Sequence, residues 1–140
     1  MQHILLPIDN SSASMGDAIA QAIRLYRQQP VCIHLLNIQP MVSRHVAMCF
    51  PKGELRALRT EFGQQELATA EELLRLAGIP FETAVKVGRK AETIALAAQQ
   101  YGCELILMGD QRPNKDFKFL SSLAQQVRHL LTGVPSCRVV

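Results

Sequence analysis

Two polar segments carry the residue types that could hold a nucleotide. Asp9-Asn10-Ser11-Ser12 follows the apolar run ILLPI, and a stretch from Gly109 to Ser122 follows the run LILM. An aspartate at a strand end can accept hydrogen bonds from a ribose or from the edge of an adenine. A glycine, two hydroxyls and the amino end of a helix can cradle a phosphate, because the unpaired amides there point outward and the helix dipole favours an anion. Both segments are therefore candidate binding elements.

Each segment also has an ordinary structural interpretation. Asp, Asn and Ser are preferred at the start of a helix, where their side chains accept hydrogen bonds from backbone amides. Ser122 and Gln125 have the spacing of a capping box, in which two side chains satisfy the first amides of a helix. These residues alone leave the binding role and the capping role open.

The chain lacks the motifs of the common catalytic folds. It contains no G-x-G-x-x-G after a strand, no G-x-x-x-x-G-K-[ST] and no G-x-S-x-G, which excludes Rossmann dehydrogenases, Walker-type NTPases and hydrolases with a nucleophile elbow. A phosphoacceptor receiver domain would need paired carboxylates where this chain has Asp9-Asn10. No serine or cysteine partner is evident for any of the histidines, so we predict no catalytic residue and no enzymatic activity. The histidines are His3, His34, His45 and His129.

A group of soft side chains lies in the long connection from Gln39 to Lys52. Thioether, imidazole and thiol groups of this kind suit copper, but their spacing matches no established site. We therefore predict no metal site, and we interpret His34, which alternates within a predicted strand, as a packing residue. The group consists of Met41, His45, Met48 and Cys49.

Composition predicts one ordinary globular domain that spans residues 1–140. The chain has 48% hydrophobic and 19% charged residues and a net charge of +3, and its basic residues form no run that would hold nucleic acid. No apolar stretch approaches the roughly 18 residues that span a bilayer, and Met1 leads into the first strand without a signal peptide, so we expect no membrane partner. Cys32, Cys103 and Cys137 lie in apolar runs, which indicates reduced core thiols and a cytoplasmic protein.

Five short apolar runs rich in branched residues predict five strands. Between them apolar residues recur at helical spacing, most clearly from Met15 to Tyr26 and from Leu120 to Leu131. Alternating strands and helices predict a single doubly wound α/β domain, in which right-handed crossovers cover both faces of a five-stranded parallel sheet. The predicted strands span residues 4–8, 31–38, 81–87, 104–108 and 137–140.

Local patterns refine this topology. The apolar stripe that begins at Leu55 changes phase after Phe62, which predicts a helix with a bend near Gly63. The third predicted strand has one wetter face and should lie near an edge of the sheet. Left-handed helix ends are predicted at Gly78, Gly102 and Gly133.

Three segments together resemble the universal stress protein family across the whole chain. They are HILLPIDNSSAS at the start, VGRKAETIALAAQQYGCELILMG in the middle and FLSSLAQQVRHLLTGVPSCRVV at the end. They are similar to that family's opening strand ending in Asp, its G-x-x-x-x-x-I-x-x-A-x-x-x-x-x-D-L-I-x-M-G block and its closing P-C-P-V-L-V-V strand. Glu104 stands for the usual Asp of the block, and Ser136 for one of the closing prolines.

The resemblance implies a strand order of 3-2-1-4-5, a homodimer and a role in the response to stress. The dimer would form by antiparallel pairing of the strand that begins at Ser136 and ends at Val140, which would otherwise be an exposed sheet edge. In the nucleotide-binding branch of the family, G-x-x-G, nine residues and G-[ST] hold a triphosphate, and the Asp after the first strand helps to hold adenosine. The residues that correspond by position to that site are Pro7, Asp9, Ile38, Met108, Gly109, Ser121 and Ser122.

The phosphate loop departs from this pattern. Arg112 replaces the second glycine, Ser121 replaces the third, and the spacer is one residue shorter. Side chains at such positions block the close approach of backbone to phosphate, so we expect ATP to bind weakly or not at all and assign no cofactor. The side chains that could contact an anion instead are Arg112, Lys115 and Lys118.

Two functional hypotheses follow. The first is a non-enzymatic stress-response protein that dimerises and regulates or binds an unidentified protein partner. The second is an ATP-binding stress switch or weak ATPase, which would use Asp9, Gly109 and Ser122. The altered glycine loop favours the first hypothesis.

Overall fold

A five-stranded parallel sheet forms the centre of the structure. The computed structural model describes residues 1–9, 15–108, 123–133 and 137–140. The strands lie in the order β3-β2-β1-β4-β5, and every neighbouring pair is parallel. The predicted α/β class and strand order are therefore confirmed. The strands are β1 (Gln2–Pro7), β2 (Val31–Gln39), β3 (Glu82–Val87), β4 (Leu105–Ile106) and β5 (Arg138–Val139).

Helices pack against both faces of this sheet. The core residues of α1 and α3 join one apolar cluster with Ile4 and Leu6 of β1, and those of α4 and α5 join a second cluster with Leu5. Successive strand residues point to opposite faces, so β1 serves both clusters. The helices are α1 (Met15–Gln28), α2 (Arg44–Met48), α3 (Glu54–Leu76), α4 (Lys90–Tyr101) and α5 (Leu123–Leu130). None of the described helices is both long and apolar enough to cross a membrane.

The observed strands differ from the predicted ones at their ends. Strand β1 begins two residues earlier than predicted, because Gln2 and His3 pair with β2 although they are polar. Strand β4 is shorter than predicted, but its ladder continues through the Glu104 amide, which donates to His3 at 3.0 Å, and the Met108 amide, which donates to Val140 at 2.7 Å. The alternating strand β3 lies at an edge, as predicted.

Gly63 allows α3 to approach the sheet closely. The helix continues without interruption through the predicted bend, and Gly63 is buried. A Cβ at this position would lie 2.5 Å from Val85 Cγ1 and 3.1 Å from Asn37 Oδ1. The change of phase in the stripe therefore marks a close contact between α3 and the sheet.

The predicted left-handed helix ends are correct at two of three glycines. Gly78 and Gly102 have φ values of 71° and 65°, which glycine adopts without steric cost. Gly133 does not have a positive φ, so the prediction was wrong there.

The connection from Gln39 to Lys52 contains the short helix α2. Ser43 caps this helix by accepting a hydrogen bond from the Val46 amide at 3.2 Å. Met41 and Met48 are largely exposed, and the Cys49 thiol donates to the His45 carbonyl at 3.3 Å.

Replacing Gly63 by alanine should destabilise the fold. The new methyl group meets the Val85 side chain at 2.5 Å and 2.6 Å, and overpacking of this kind costs roughly 1–3 kcal/mol. The better helix propensity of alanine offsets about 1 kcal/mol of this destabilisation. The measurement is the free energy of unfolding from a urea titration followed by circular dichroism.

Gly16→Ala is the matched control, because a Cβ at this helical position meets no atom within 4 Å. Its free energy of unfolding should be unchanged or should rise by up to about 1 kcal/mol. A Gly63→Ala protein as stable as the wild type would contradict the close approach of α3. Partial recovery in the double variant Gly63→Ala/Val85→Ala would identify Val85 as the group that clashes.

Candidate functional site

A pocket opens at the carboxyl end of the sheet, where the connections from β1 and β4 lead to opposite faces. Open parallel sheets bind ligands at this switch point. The wall of the pocket is apolar and comes from β2, α4 and α5, whereas Asp9 and Lys90 form its charged rim. The residues that line this strand-end pocket are Pro7, Ile8, Asp9, Leu36, Ile38, Lys90, Ile94, Met108 and Leu123.

The structure brings together four of the seven residues that the sequence singled out for binding. These four lining residues are Pro7, Asp9, Ile38 and Met108. The other three lie outside the described residues, namely Gly109, Ser121 and Ser122. So do the basic residues of the same connection, Arg112, Lys115 and Lys118. The hypothesis of an altered phosphate loop therefore stays a prediction.

The rim of the pocket is an ion pair between Asp9 and Lys90. Lys90 Nζ donates to Asp9 Oδ2 at 3.2 Å, and the two side chains are 55% and 30% exposed. Solvent screens a pair of this exposure, so it contributes on the order of 1 kcal/mol or less. A ligand can therefore separate Asp9 from Lys90 at small cost.

Lys90 is a site residue that the sequence analysis missed. It is the first residue of α4, whereas the predicted binding residues lie at or beyond the ends of β1, β2 and β4. Its signal is the Gly88-Arg89-Lys90 segment after β3, since the carboxyl ends of all parallel strands meet at one edge of the sheet.

Asn37 fixes the backbone that leads into Asp9. This side chain is fully buried and donates from Nδ2 to the Ile8 carbonyl at 3.0 Å and to the Glu66 carboxylate. Its Oδ1 accepts from Gln39 Nε2 at 2.7 Å. A buried amide group without hydrogen-bond partners would lower the free energy of unfolding, so these hydrogen bonds are expected to be kept. Through the bond to the Ile8 carbonyl they fix the backbone that places Asp9 at the rim.

A second depression continues the pocket toward β3. It shares Ile38 and Lys90 with the strand-end pocket and extends along the connection that contains α2. Gly88 lines this depression, and its amide donates to the Gln39 carbonyl at 3.1 Å. Its remaining lining residues are Pro40, Met41, Val42, Ser43, Gly88 and Arg89. The long connection therefore borders the candidate site.

The thiols of Cys32, Cys103 and Cys137 are not activated nucleophiles. All four cysteines are free, but of these three predicted core thiols only Cys103 is buried, whereas Cys32 and Cys137 are half-buried. Burial raises the pKa of Cys103 to about 12, and it raises the pKa of Cys137 as well. Burial together with the nearby Glu82 carboxylate also raises the pKa of Cys32. Reactive cysteines have a lowered pKa, so these three thiols stay protonated at neutral pH.

A second polar group lies at the opposite, amino end of the sheet. His3, Cys32 and His34 share one face of β1 and β2, with His34 Nε2 at 2.9 Å from His3 Nδ1 and at 3.6 Å from Cys32 Sγ. We call these three residues the His–Cys cluster. The His34 and Tyr101 rings stack with their centroids 4.8 Å apart, which agrees with the predicted packing role of His34. The contacts of His34 with His3 and Cys32 were not predicted.

Burial favours the neutral form of the His34 imidazole. Burial lowers the pKa of His34, although the Glu82 carboxylate, 3.5 Å from Nδ1, acts in the opposite direction. The sequence carried a signal for this cluster, because residues two apart on a strand share a face and Cys32 and His34 are so spaced. The register that adds His3 was not available from the sequence.

The chain is similar in fold to several solved structures. A universal stress protein family structure from Burkholderia pseudomallei is 20% identical, with a TM-score of 0.69 over 99% of this chain and 93% of that one. A universal stress protein from Archaeoglobus fulgidus in complex with dAMP is 16% identical, with a TM-score of 0.67 over 100% and 96%. A universal stress protein family protein from Arabidopsis thaliana with AMP bound is 13% identical, with a TM-score of 0.64 over 100% and 90%.

The family model agrees with these structural likenesses. No protein with a curated description matches the sequence significantly. The model of the universal stress protein family, however, matches residues 1–132, which includes β1 to β4 and the whole of the strand-end pocket. The chain therefore belongs to the universal stress protein family.

Proposed function

We propose that this protein is a non-enzymatic, dimeric regulator of the stress response in the cytoplasm. In this role its strand-end pocket binds the adenosine part of a nucleotide and gains little from a triphosphate. The observation that carries the proposal is the placement of Asp9 and Lys90 on the rim of an apolar pocket at the switch point of the sheet. The four free cysteines fit a reducing compartment.

The chemistry of the pocket suits a flat heterocycle with a polar edge. Ile38 and Leu123 are partly exposed and offer apolar surface for a ring, and the Asp9 carboxylate can accept hydrogen bonds from an amino group or a ribose. Lys90 can turn from Asp9 toward a phosphate, since their ion pair is weak. Two structures of similar fold contain adenine nucleotides, AMP in one and dAMP in the other, which supports a ligand of this class.

The sequence of the phosphate loop indicates that the β- and γ-phosphates of ATP add little to the binding affinity. Arg112 and Ser121 stand where the family's nucleotide-binding branch has glycine. Each lost charge-assisted amide contact would cost about 1.5–3 kcal/mol, roughly a ten- to hundredfold loss in affinity. ATP should therefore bind no better than AMP.

The groups that line the described part of the pocket are the reason why this proposal includes no catalysis. Among the described lining residues, the charged side chains are one carboxylate and one ammonium, already paired with each other. The thiols of Cys32, Cys103 and Cys137 lie outside the pocket lining and have raised pKa values. An ATP-binding switch or weak ATPase is the alternative function, and it requires tight ATP binding.

Calorimetric titration with AMP, ADP and ATP in the presence of magnesium tests the proposed pocket. The three dissociation constants should lie within about tenfold of one another, because the base and ribose supply most of the affinity. Asp9→Ala should weaken AMP binding by about tenfold or more and reduce the preference for AMP over UMP.

Asp17→Ala is the matched control, since it removes the same charge from the exposed first turn of α1, outside the pocket. It should bind AMP as the wild type does. ATP binding in the low micromolar range, about a hundredfold tighter than AMP, would instead support the ATP switch. Failure of every nucleotide to bind would overturn the nucleotide pocket and leave the dimeric regulator to be tested separately.

The dimer in this proposal forms through strand β5. The Arg138 amide donates to the Glu104 carbonyl at 2.9 Å and the Val140 amide to the Ile106 carbonyl at 2.8 Å, so the backbone of Val139 points away from β4. The Val139 carbonyl accepts from Arg128 at 3.0 Å, which leaves the Val139 amide as the donor offered to a partner strand. An exposed edge of this kind pairs readily with a second chain. Ser136, the first residue of the predicted dimer strand, lies outside the described residues.

Val139→Pro should shift the protein from dimer to monomer, because proline removes the outward amide without removing a hydrogen bond to β4. Light scattering at high micromolar concentration should give twice the chain mass of 15.5 kDa for the wild type and a lower average mass for the variant. Val139→Ala keeps the amide and should stay dimeric. A monomeric wild type, or a folded Val139→Pro variant that is fully dimeric, would contradict this interface.

A further inference from the structure

The His–Cys cluster presents three metal-ligand atoms to one point. One ring nitrogen of His3, one ring nitrogen of His34 and the Cys32 sulfur all lie within 4.8 Å of one another. The contacts to His34 Nε2 are 2.9 Å from His3 and 3.6 Å from Cys32. The three side chains come from adjacent parallel strands in fixed register, with His3 opposite Cys32, so the backbone holds the group together.

Two of the three separations between the ligand atoms are close to those of a zinc site. Zinc binds histidine nitrogen at about 2.0–2.1 Å and cysteine sulfur at about 2.3 Å in tetrahedral geometry, which separates the ligand atoms by roughly 3.3–3.6 Å. The Cys32–His34 separation falls in this range. The His3–His34 separation must open by about 0.4 Å, which small ring rotations can supply because His3 is only partly buried.

The His34 ring is already oriented as a metal ligand would be. Its Nδ1 faces the Glu82 carboxylate at 3.5 Å, and its Nε2 faces the other two ligands. The ring is 8% exposed and lies parallel to Tyr101 within 5°. Metal-ligating histidines usually donate their second ring N–H to such a carboxylate, which sets the tautomer and the direction of the lone pair.

We propose that the His–Cys cluster binds one Zn²⁺ ion through His3 Nδ1, Cys32 Sγ and His34 Nε2. On binding, the Cys32 thiol gives its proton to solvent, and two metal bonds replace the hydrogen bond between the imidazole rings. The ring that donates in this hydrogen bond loses that proton to solvent and takes up a proton on its other nitrogen, so that both metal-binding nitrogens are free of protons. Two imidazoles and a thiolate are the ligands of a borderline ion, in contrast to the oxygen ligands that Mg²⁺ or Ca²⁺ require.

This site is independent of the nucleotide pocket. The cluster lies at the amino end of β1 and β2, whereas the strand-end pocket lies at their carboxyl end. His3 and Cys32 are partly exposed, so an ion can enter from solvent. The sequence predicted no metal site, and the soft side chains that it singled out lie in the long connection, which contributes no residue to the cluster.

The experiment uses the full-length protein, free of any affinity tag and treated with chelator before dialysis. Zn²⁺ is titrated in competition with a chromophoric chelator, and Co²⁺ is titrated while the absorption spectrum is recorded. The wild type should bind one ion per chain, and bound Co²⁺ should show a thiolate-to-cobalt charge-transfer band. Cys32→Ser should lose this band and bind Zn²⁺ at least about tenfold more weakly.

Two cysteines outside the cluster and the Glu82 carboxylate next to His34 provide the controls. Cys137→Ser changes a half-buried thiol outside the cluster, and Cys49→Ser changes an exposed thiol, so both should bind as the wild type does. Glu82→Gln should weaken Zn²⁺ binding by about tenfold but keep the charge-transfer band, because Glu82 positions His34 without touching the ion. Far-ultraviolet circular dichroism of each variant checks that the fold is retained.

The proposal fails if the wild type shows no charge-transfer band, or if folded Cys32→Ser binds Zn²⁺ as tightly as the wild type. It also fails if Cys49→Ser abolishes binding, since the ion would then lie in the long connection. A nucleotide titration that fails while Zn²⁺ binds to the cluster would overturn the nucleotide pocket and support the metal site.

Discussion

The burial of strand β1 on both faces is the constraint on which the rest of the structure depends. Ile4, Leu5 and Leu6 are all completely buried, and they alternate between the two apolar clusters. Such a strand cannot contribute polar chemistry along its centre, because a buried polar group without partners is costly. Its polar residues lie at its two ends, with His3 at one end and Asp9 just beyond the other. The central strand therefore accounts for the separation of the two candidate sites.

The fold could be predicted because its signals are local. Apolar runs and helical stripes identify the elements, and parallel strands with helical crossovers follow from their alternation. The order of the strands came from the family resemblance and from no periodicity. The start of β1 was predicted two residues too late. Gln2 and His3 are polar and only half-buried, so an apolar run in the sequence does not include them.

The candidate site was partly predictable for a related reason. Pro7, Asp9, Ile38 and Met108 lie at or just beyond strand ends, and a parallel sheet brings all such ends to one edge. Lys90 was missed because its contact with Asp9 spans 81 positions of sequence. The His–Cys cluster was missed because it depends on the register of β1 against β2, and a shift by one residue would turn His3 to the opposite face.

Helix α4 touches both ends of the sheet. Lys90 begins it at the strand-end pocket, and Tyr101 ends it against the His34 ring. The chain contains two tyrosines and no tryptophan, so its tyrosine fluorescence comes from Tyr26 and Tyr101 and is not masked by tryptophan. A Tyr26→Phe variant would reduce it to a single fluorophore, stacked on the cluster. The protein thus carries its own optical reporter for events at the amino end of the sheet, and no dye need be attached.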